Sequence, residues 1–196
     1  MKTALLVLAA VLGASAQSQR PRDLGPGKLL VASRDLGDPN FSQSVVLLMK
    51  HDATSAMGVV LTRESRYTIG RLFPEIAKSN ETHAYVGGPV SRTGVIALGR
   101  SKQAPTGAEA VVSDVWMTAD KALLERMIRE NANAETFRVY LGYTGWGGGQ
   151  LENEVKQGAW HIFNADPAAV FAADVKGLWD RYIRRVEAQI AMVRDR

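Results

Sequence analysis

The residues best suited to chemistry lie between Phe137 and Val155. A strand-like segment here is followed by four glycines and a tryptophan, and then by a helix start with a glutamine and a glutamate: Gly145, Trp146, Gly147, Gly148, Gly149, Gln150 and Glu154. Glycines let a backbone approach a ligand closely, and the N–H groups at a helix N-terminus attract anions. The indole would add a flat apolar surface. This pattern predicts the rim of a ligand-binding site, and the alternative is a tight structural turn in which Trp146 packs on the core.

The glycine-rich segment does not match the phosphate-binding motifs. A dinucleotide fingerprint needs a third glycine where this chain has Gln150, and a Walker-type loop needs Lys followed by Ser or Thr. The sequence therefore predicts no nucleotide cofactor, and it indicates no other cofactor.

A second glycine pair, Gly87 and Gly88, ends a predicted strand just before Pro89. Proline restricts the residue before it to extended conformations, so turn geometry is the first role expected here and ligand contact is the second. If the two glycine segments meet in space, they frame one pocket. The predicted ligand-binding residues are therefore Gly87, Gly88, Pro89, Gly145, Trp146, Gly147, Gln150 and Glu154.

The other candidate groups give weaker patterns. His51, His83 and His161 are far apart and show no metal-ligand spacing, so no metal site is predicted. His51 could serve a hydrolase together with a carboxylate, but no Gly-x-Ser-x-Gly elbow presents a nucleophile. The chain has no cysteine, which excludes thiol catalysis and zinc-thiolate sites. The residues favour a non-catalytic domain, with the hydrolase as an alternative.

The elements that must position these residues are mainly strands in the first half of the chain. Short apolar segments bounded by turn formers predict strands at Leu29–Ala32, Ser44–Lys50, Gly58–Thr62, Ala84–Val86, Gly94–Leu98, Ala110–Ser113 and Phe137–Leu141. The run from Val45 to Met49 has no polar alternation, which indicates a strand covered on both faces. Helices must therefore pack against the sheet.

Three helices are predicted. An amphipathic stripe marks Ala119–Glu130, and Gly158 ends a short helix over Gln150–Gln157. Asp166 and Pro167 begin a last helix, whose apolar stripe continues from Val175 to Val186. Strands followed by mixed strands and helices predict a single α/β domain with α+β character.

The N-terminus has the pattern of a cleavable secretory signal. Lys2 precedes a short apolar stretch, which ends in the small-x-small sequence Ala14-Ser15-Ala16. We expect a signal peptide at 1–16, a linker at 17–26, a domain at 27–186 and a helical tail at 187–196. The mature chain would be periplasmic or secreted, without a transmembrane span. The alternatives are an uncleaved anchor or a cytoplasmic protein.

The charge pattern argues against a nucleic-acid partner. The net charge is +4, and the basic residues Arg181, Arg184 and Arg185 are interrupted by Asp180 and Glu187. No helix-turn-helix signature accompanies them. The expected partner is a small ligand or another protein.

Several segments, taken in order, resemble the YqgE/AlgH family: Gly27-Lys-Leu-Leu-Val-Ala32, Met57-Gly-Val-Val-Leu61, Tyr85-Val-Gly-Gly-Pro-Val90, Leu141-Gly-Tyr-Thr-Gly-Trp-Gly-Gly-Gly-Gln-Leu-Glu152 and Gly158-Ala-Trp160. The resemblance implies a bent, branching sheet that forms a pseudo-barrel flanked by helices. It implies no established activity, although family members are described as regulators. This chain departs from the family pattern at Thr62-Arg63-Glu64, where Asn-Arg-Pro is usual, and at Gly148, where Pro is usual.

The combined expectation is a non-catalytic, exported domain that binds a ligand or partner around the two glycine segments. Members of the family are usually cytosolic, so a signal peptide would be a further departure. A cytosolic regulator of gene expression that acts through protein contacts is the remaining alternative.

Overall fold

The computed structural model describes residues 23–78, 80–130 and 133–194. In these ranges the strands are β1 (Lys28–Ala32), β2 (Val45–His51), β3 (Ser55–Val60), β4 (Glu64–Thr68), β5 (His83–Val86), β6 (Val90–Arg100), β7 (Glu109–Val112), β8 (Val115–Thr118), β9 (Phe137–Gly147) and β10 (Trp160–Asn164). The helices are α1 (Ile69–Leu72), α2 (Pro74–Ala77), α3 (Lys121–Arg129), α4 (Gln150–Lys156), α5 (Pro167–Val170) and α6 (Leu178–Arg194).

One mixed sheet contains these strands and branches at β9. The main path runs β10-β1-β2-β3-β9-β6-β8-β7, and β5 joins β9 in parallel and carries β4 on its other side. The strand β9 can hold three neighbours because β5 and β6 pair with the same residues, Tyr140 and Leu141, from opposite edges, while β3 pairs further along the strand. Its first half pairs with β6 and β5, and its second half pairs with β3. The predicted single α/β domain with a bent, branching pseudo-barrel is confirmed.

The core is built on the apolar strands at the start of the domain. All residues from Val45 to Met49 are buried, which confirms that β2 is covered on both faces. The helix α6 packs over β1, where the Trp179 indole Nε1 donates to the Ala32 carbonyl at 2.8 Å. A second cluster lies under α3 and includes Leu123 and Ile128.

The predicted strands are all present, but three further strands were not predicted. The strand β4 has the sequence Glu-Ser-Arg-Tyr-Thr, which is too polar to give an apolar signal. The strands β8 and β10 are short and contain large aromatic residues. Their apolar pattern is too short to distinguish a strand from a buried turn. The segment predicted as one last helix forms two helices, α5 and α6, because the chain leaves helical geometry between Val170 and Leu178.

The terminal segments are described only in part. The signal peptide predicted at 1–16 and the linker residues 17–22 lie outside the described residues, as do 195–196. Within the described ranges, β1 begins at Lys28 and α6 continues to Arg194. No helix in those ranges is long and apolar enough to cross a bilayer.

Candidate functional site

The glycine-tryptophan segment is mostly strand, which corrects the expectation of a loop over Gly145–Gly149. Gly145, Trp146 and Gly147 continue β9 and pair with Met57, Ala56 and Ser55 of β3. Only Gly148 and Gly149 form the turn, and Gly149 precedes α4 with a φ of 75°. A strand needs alternating faces, so Trp146 points inwards, with 4% of its surface exposed, between two exposed glycines.

A single carboxylate holds this segment to α4. The indole Nε1 groups of Trp146 and Trp160 donate to Glu154 Oε2 at 2.9 and 2.8 Å. Gln150 Nε2 donates to the other oxygen, Glu154 Oε1, at 3.0 Å. Gln150 is itself held, because its side-chain oxygen accepts from the Gly147 N–H at 3.2 Å. Four of the predicted ligand-binding residues, Trp146, Gly147, Gln150 and Glu154, are therefore bonded to one another.

Aromatic packing fixes the two indoles. Phe41 stacks on Trp146 at 6.1 Å between ring centroids and meets Trp160 edge-on at 5.6 Å. The two indoles contact each other in a T-shaped arrangement at 6.2 Å. This cluster matches the structural alternative considered for Trp146, in which the ring packs on the core.

His51 is also tied to α4. Its Nε2 lies 2.8 Å from Glu152 Oε1, and both side chains are mostly buried. Burial acts to raise the pKa of Glu152, but its own backbone N–H and the His51 ring outweigh this effect and hold the pKa below its usual value. The hydrolase alternative requires this carboxylate partner and also a hydroxyl. In the part of the chain described, the only hydrogen-bond partner of the His51 ring is Glu152.

The second glycine segment lies at the branch of the sheet. The Gly87 N–H donates to the Leu141 carbonyl of β9, and the Gly87 carbonyl accepts from the Val60 N–H at the end of β3, both at 2.8 Å. A Cβ on Gly87 would collide with the Gly142 carbonyl, and one on Gly88 would collide with the Tyr143 backbone. Glycine is required here because three backbones converge.

An open groove runs beside Gly88 and Pro89. It has a volume of about 510 Å³ and is bounded by β4, by the end of β5 and by the start of β6. Its floor is apolar, with Val86, Pro89 and Leu141, and its other lining residues are mainly polar or charged: Asn40, Arg63, Glu64, Ser65, Arg66, Tyr67, Gly88 and Arg92. We call this surface the arginine groove.

The three arginines of this groove are held to different degrees. Arg63 is half-buried, and its Nη2 donates to the Pro39 carbonyl at 3.0 Å. Burial lowers the pKa of Arg63, although a guanidinium stays protonated at neutral pH. Arg66 donates to the Tyr67 hydroxyl at 2.8 Å and lies over that ring. Arg92 is exposed and, among the described residues, makes no hydrogen bond or ion pair.

The charge of the arginine groove is compensated only in part, since the Asp38 carboxylate attracts the Arg63 guanidinium from beyond ion-pair distance and acts to raise its pKa against the larger effect of burial. No carboxylate in the described ranges lies within ion-pair distance of Arg63, Arg66 or Arg92. Glu64 is the one acidic residue in the lining. The groove therefore presents a positive surface above an apolar floor, which suits an anionic group attached to an apolar one.

The structure separates the predicted site residues into two groups. Gly88 and Pro89 line the arginine groove, and Gly87 supports it from the branch. The residues from Gly145 to Glu154 do not line this groove and form the tie between β9 and α4. The sequence did not predict that the three arginines form a site. Arg66 lies on a strand that was not predicted, and no local pattern shows that Arg63, Arg66 and Arg92 line one groove. The only available signal was the unusual Thr62-Arg63-Glu64 sequence.

Within the described ranges, no group of three or more His, Asp or Glu side chains is arranged to hold a metal ion. The acidic groups near the glycine segments are instead used in hydrogen bonds, as Glu152 and Glu154 show.

The chain is similar to proteins from several bacteria. It is 33% identical over 175 residues to a UPF0301 protein of Streptomyces coelicolor, with 85% of this chain and 89% of that protein covered. It is 32% identical over 162 residues to a UPF0301 protein of Chlorobaculum tepidum, with 82% and 86% covered.

Solved structures show the same fold. The solution structure of the AlgH protein from Pseudomonas aeruginosa superimposes with a TM-score of 0.68 at 25% identity, covering 87% of this chain and 93% of that one. A crystal structure of a Corynebacterium diphtheriae protein gives a TM-score of 0.69 at 25% identity, with 83% and 87% covered. The family profile described as AlgH-like matches residues 29–191. The chain therefore belongs to the AlgH-like family, as the sequence motifs indicated.

Proposed function

We propose that this protein is a non-catalytic binding domain, and that the arginine groove binds the anionic group of a small ligand or of an acidic protein segment. The observation that carries the proposal is the convergence of Arg63, Arg66 and Arg92 on one groove without an ion-pair partner in the described part of the chain. Guanidinium groups recognise carboxylates and phosphates through paired N–H donors.

The groove combines a fixed donor with adjustable donors. Arg63 is anchored by backbone carbonyls of the Pro39 and Ser42 region, so it loses little freedom when a ligand binds. Arg92 is exposed and can move to meet an anion. The exposed Val86 offers an apolar contact below them. A groove that binds an acidic segment of another protein would also fit the alternative expectation, a regulator that acts through protein contacts.

Two probes with matched variants test this proposal. We expect a glutamate-rich peptide or inorganic pyrophosphate to bind measurably by calorimetry, and the double change Arg66→Gln and Arg92→Gln to weaken binding by roughly tenfold or more, because two charge-assisted contacts are lost. The control double change, Arg126→Gln and Arg181→Gln, removes the same charge from exposed helix positions outside the groove.

The comparison of variants and probes decides the outcome. If binding weakens equally in the groove and control variants, the effect comes from the net charge of the protein alone. That result would contradict a specific site in the arginine groove. Stronger binding of the peptide points to a protein partner, and stronger binding of pyrophosphate points to a small anion. Preference for a single-stranded oligonucleotide over both would contradict the expectation that nucleic acid is not the partner.

We also propose that the protein is exported, on the basis of the signal pattern at residues 1–16. N-terminal sequencing of the native protein should then begin at Gln17. The matched control is a chain with Ala14→Asp and Ala16→Asp, which removes the small-x-small site and should leave the precursor uncleaved. A native chain that keeps its first residues and fractionates with the cytoplasm would show the location that is usual in the family.

A further inference from the structure

A second pocket, open to solvent like the arginine groove, lies on the other side of the segment Ser91–Gly94 from that groove. It has a volume of about 440 Å³ and lies between β3, β6, β8 and β9. Arg92 lines the arginine groove, whereas its neighbour Ser91 lines this second cavity, so the two spaces share one wall. The floor is apolar and includes Met57, Ile96 and Met117. We call this space the methionine cavity.

The charged groups around the methionine cavity are already compensated. Lys50 Nζ and the Glu109 carboxylate form an ion pair at 2.9 Å. Asp120 caps α3, and its carboxylate accepts from the Leu123 N–H at 2.8 Å. A capping carboxylate also lies near the positive end of its helix, which offsets its charge. The cavity therefore differs from the arginine groove, whose cations lack carboxylate partners.

Two hydroxyl groups in the lining are not used by the protein. In the described ranges, the hydroxyls of the exposed Ser91 and the half-buried Tyr143 make no hydrogen bond to another protein group. Ser91 has a φ of 48°, which is uncommon for a residue other than glycine. It lies where the pairing of β6 with β9 shifts between Val90 and Val95. Such strained positions occur preferentially at ligand sites.

We propose that the methionine cavity binds a small uncharged molecule that has an apolar ring and a hydroxyl group. The volume lies in the range of about 300–1,000 Å³ that is typical of small-molecule sites. Lys50 and Glu109 neutralise each other and the Asp120 carboxylate caps α3, so each charged group of the rim already has a partner within the protein. The hydroxyls of Ser91 and Tyr143 can bond the hydroxyl of the ligand. Methionine side chains adapt their shape to a flat ring and contact it through sulfur.

Three compounds with the same phenol ring test the proposal: neutral 4-ethylphenol, cationic tyramine and anionic 4-hydroxyphenylacetate. In a titration followed by NMR of ¹³C-labelled methionine methyl groups, we expect 4-ethylphenol to bind at least fivefold tighter than the two ions. The Met57 and Met117 signals should shift. Met192 is exposed on α6, outside the lining, so its signal should stay unchanged.

A steric variant and its control complete the test. Ala119→Phe places a large ring in the cavity lining from an exposed position and should abolish the Met117 shift, whereas Ala191→Phe on the exposed face of α6 should have no effect. The proposal is overturned if either ion binds as well as 4-ethylphenol, or if Ala119→Phe leaves the binding unchanged. Binding of 4-ethylphenol should persist in the Arg66→Gln and Arg92→Gln variant, so this site can fail or succeed independently of the arginine groove.

Discussion

At the scale of single residues, Glu154 lies one helical turn after Gln150 and joins α4 to the neighbouring strands. Its carboxylate accepts from two buried indoles and from Gln150. A carboxylate has enough lone pairs for these three donors, and neither indole can turn to water without breaking the aromatic cluster around Phe41. The residue acts as a tie between β9, β10 and α4.

We predict that Glu154→Gln destabilises the protein by about 1–3 kcal/mol, because the new amide group turns an N–H towards at least one donor and leaves it unsatisfied. Denaturant unfolding monitored by tryptophan fluorescence measures this change. Glu135→Gln, an exposed substitution after α3, is the control and should have little effect. Equal stability of the two variants would show that Glu154 is free to serve a ligand.

At the scale of elements, the branch at β9 determines where glycine is required. Gly87 and Gly88 lie where β3, β5 and β9 converge, and Gly142 meets the same backbones from the other side with a φ of 70°. In the other segment, Gly147 has more room. Nothing lies within 4 Å of a Cβ added to Gly147.

This difference predicts opposite outcomes for two substitutions of the same kind. Gly88→Ala should cost about 3 kcal/mol or more, because its Cβ meets the Tyr143 carbonyl and the backbone must shift. Gly147→Ala should change the free energy of unfolding by less than about 0.5 kcal/mol. Thermal unfolding of both variants provides the comparison. A larger effect at Gly147 would contradict the branch as the origin of the glycine requirement.

At the scale of the whole molecule, the buried Arg138 joins distant parts of the chain. Its guanidinium donates to the carbonyls of Ala134, Val170 and Ala172 at 2.9, 3.2 and 2.8 Å. It also lies over the rings of Tyr85 and Phe171 at 5.0 and 5.5 Å. Carbonyl dipoles and aromatic faces take the place of a carboxylate partner for this cation.

We predict that Arg138→Met lowers the free energy of unfolding by about 2–4 kcal/mol. Removal of a buried charge is favourable by itself, but two buried carbonyls and one partly buried carbonyl lose their donor, and two rings lose a cation. Arg126→Met, at an exposed position of α3, is the control in the same denaturant titration. If Arg138→Met were as stable as the unmodified protein, the packing around β9 and α5 would not depend on this cation.

The local elements were predictable where apolar periodicity and caps are strong. The run from Val45 to Met49, the stripe of α3 and the glycine that ends α4 each correspond to an observed element. The strand β4 was missed because pairing with β5 stabilises it, and that pairing is not encoded in its polar residues. The helix break after Val170 was missed because the apolar stripe continues through it.

The sequence by itself determined the family and the fold class. Only the tertiary structure decided which segments meet. It placed Gly145–Gly147 in a strand, directed Trp146 to Glu154, and brought Arg63, Arg66 and Arg92 to one groove. The physical reason is that caps, turns and periodicity are local properties, whereas strand pairing at the β9 branch joins residues that are distant in sequence.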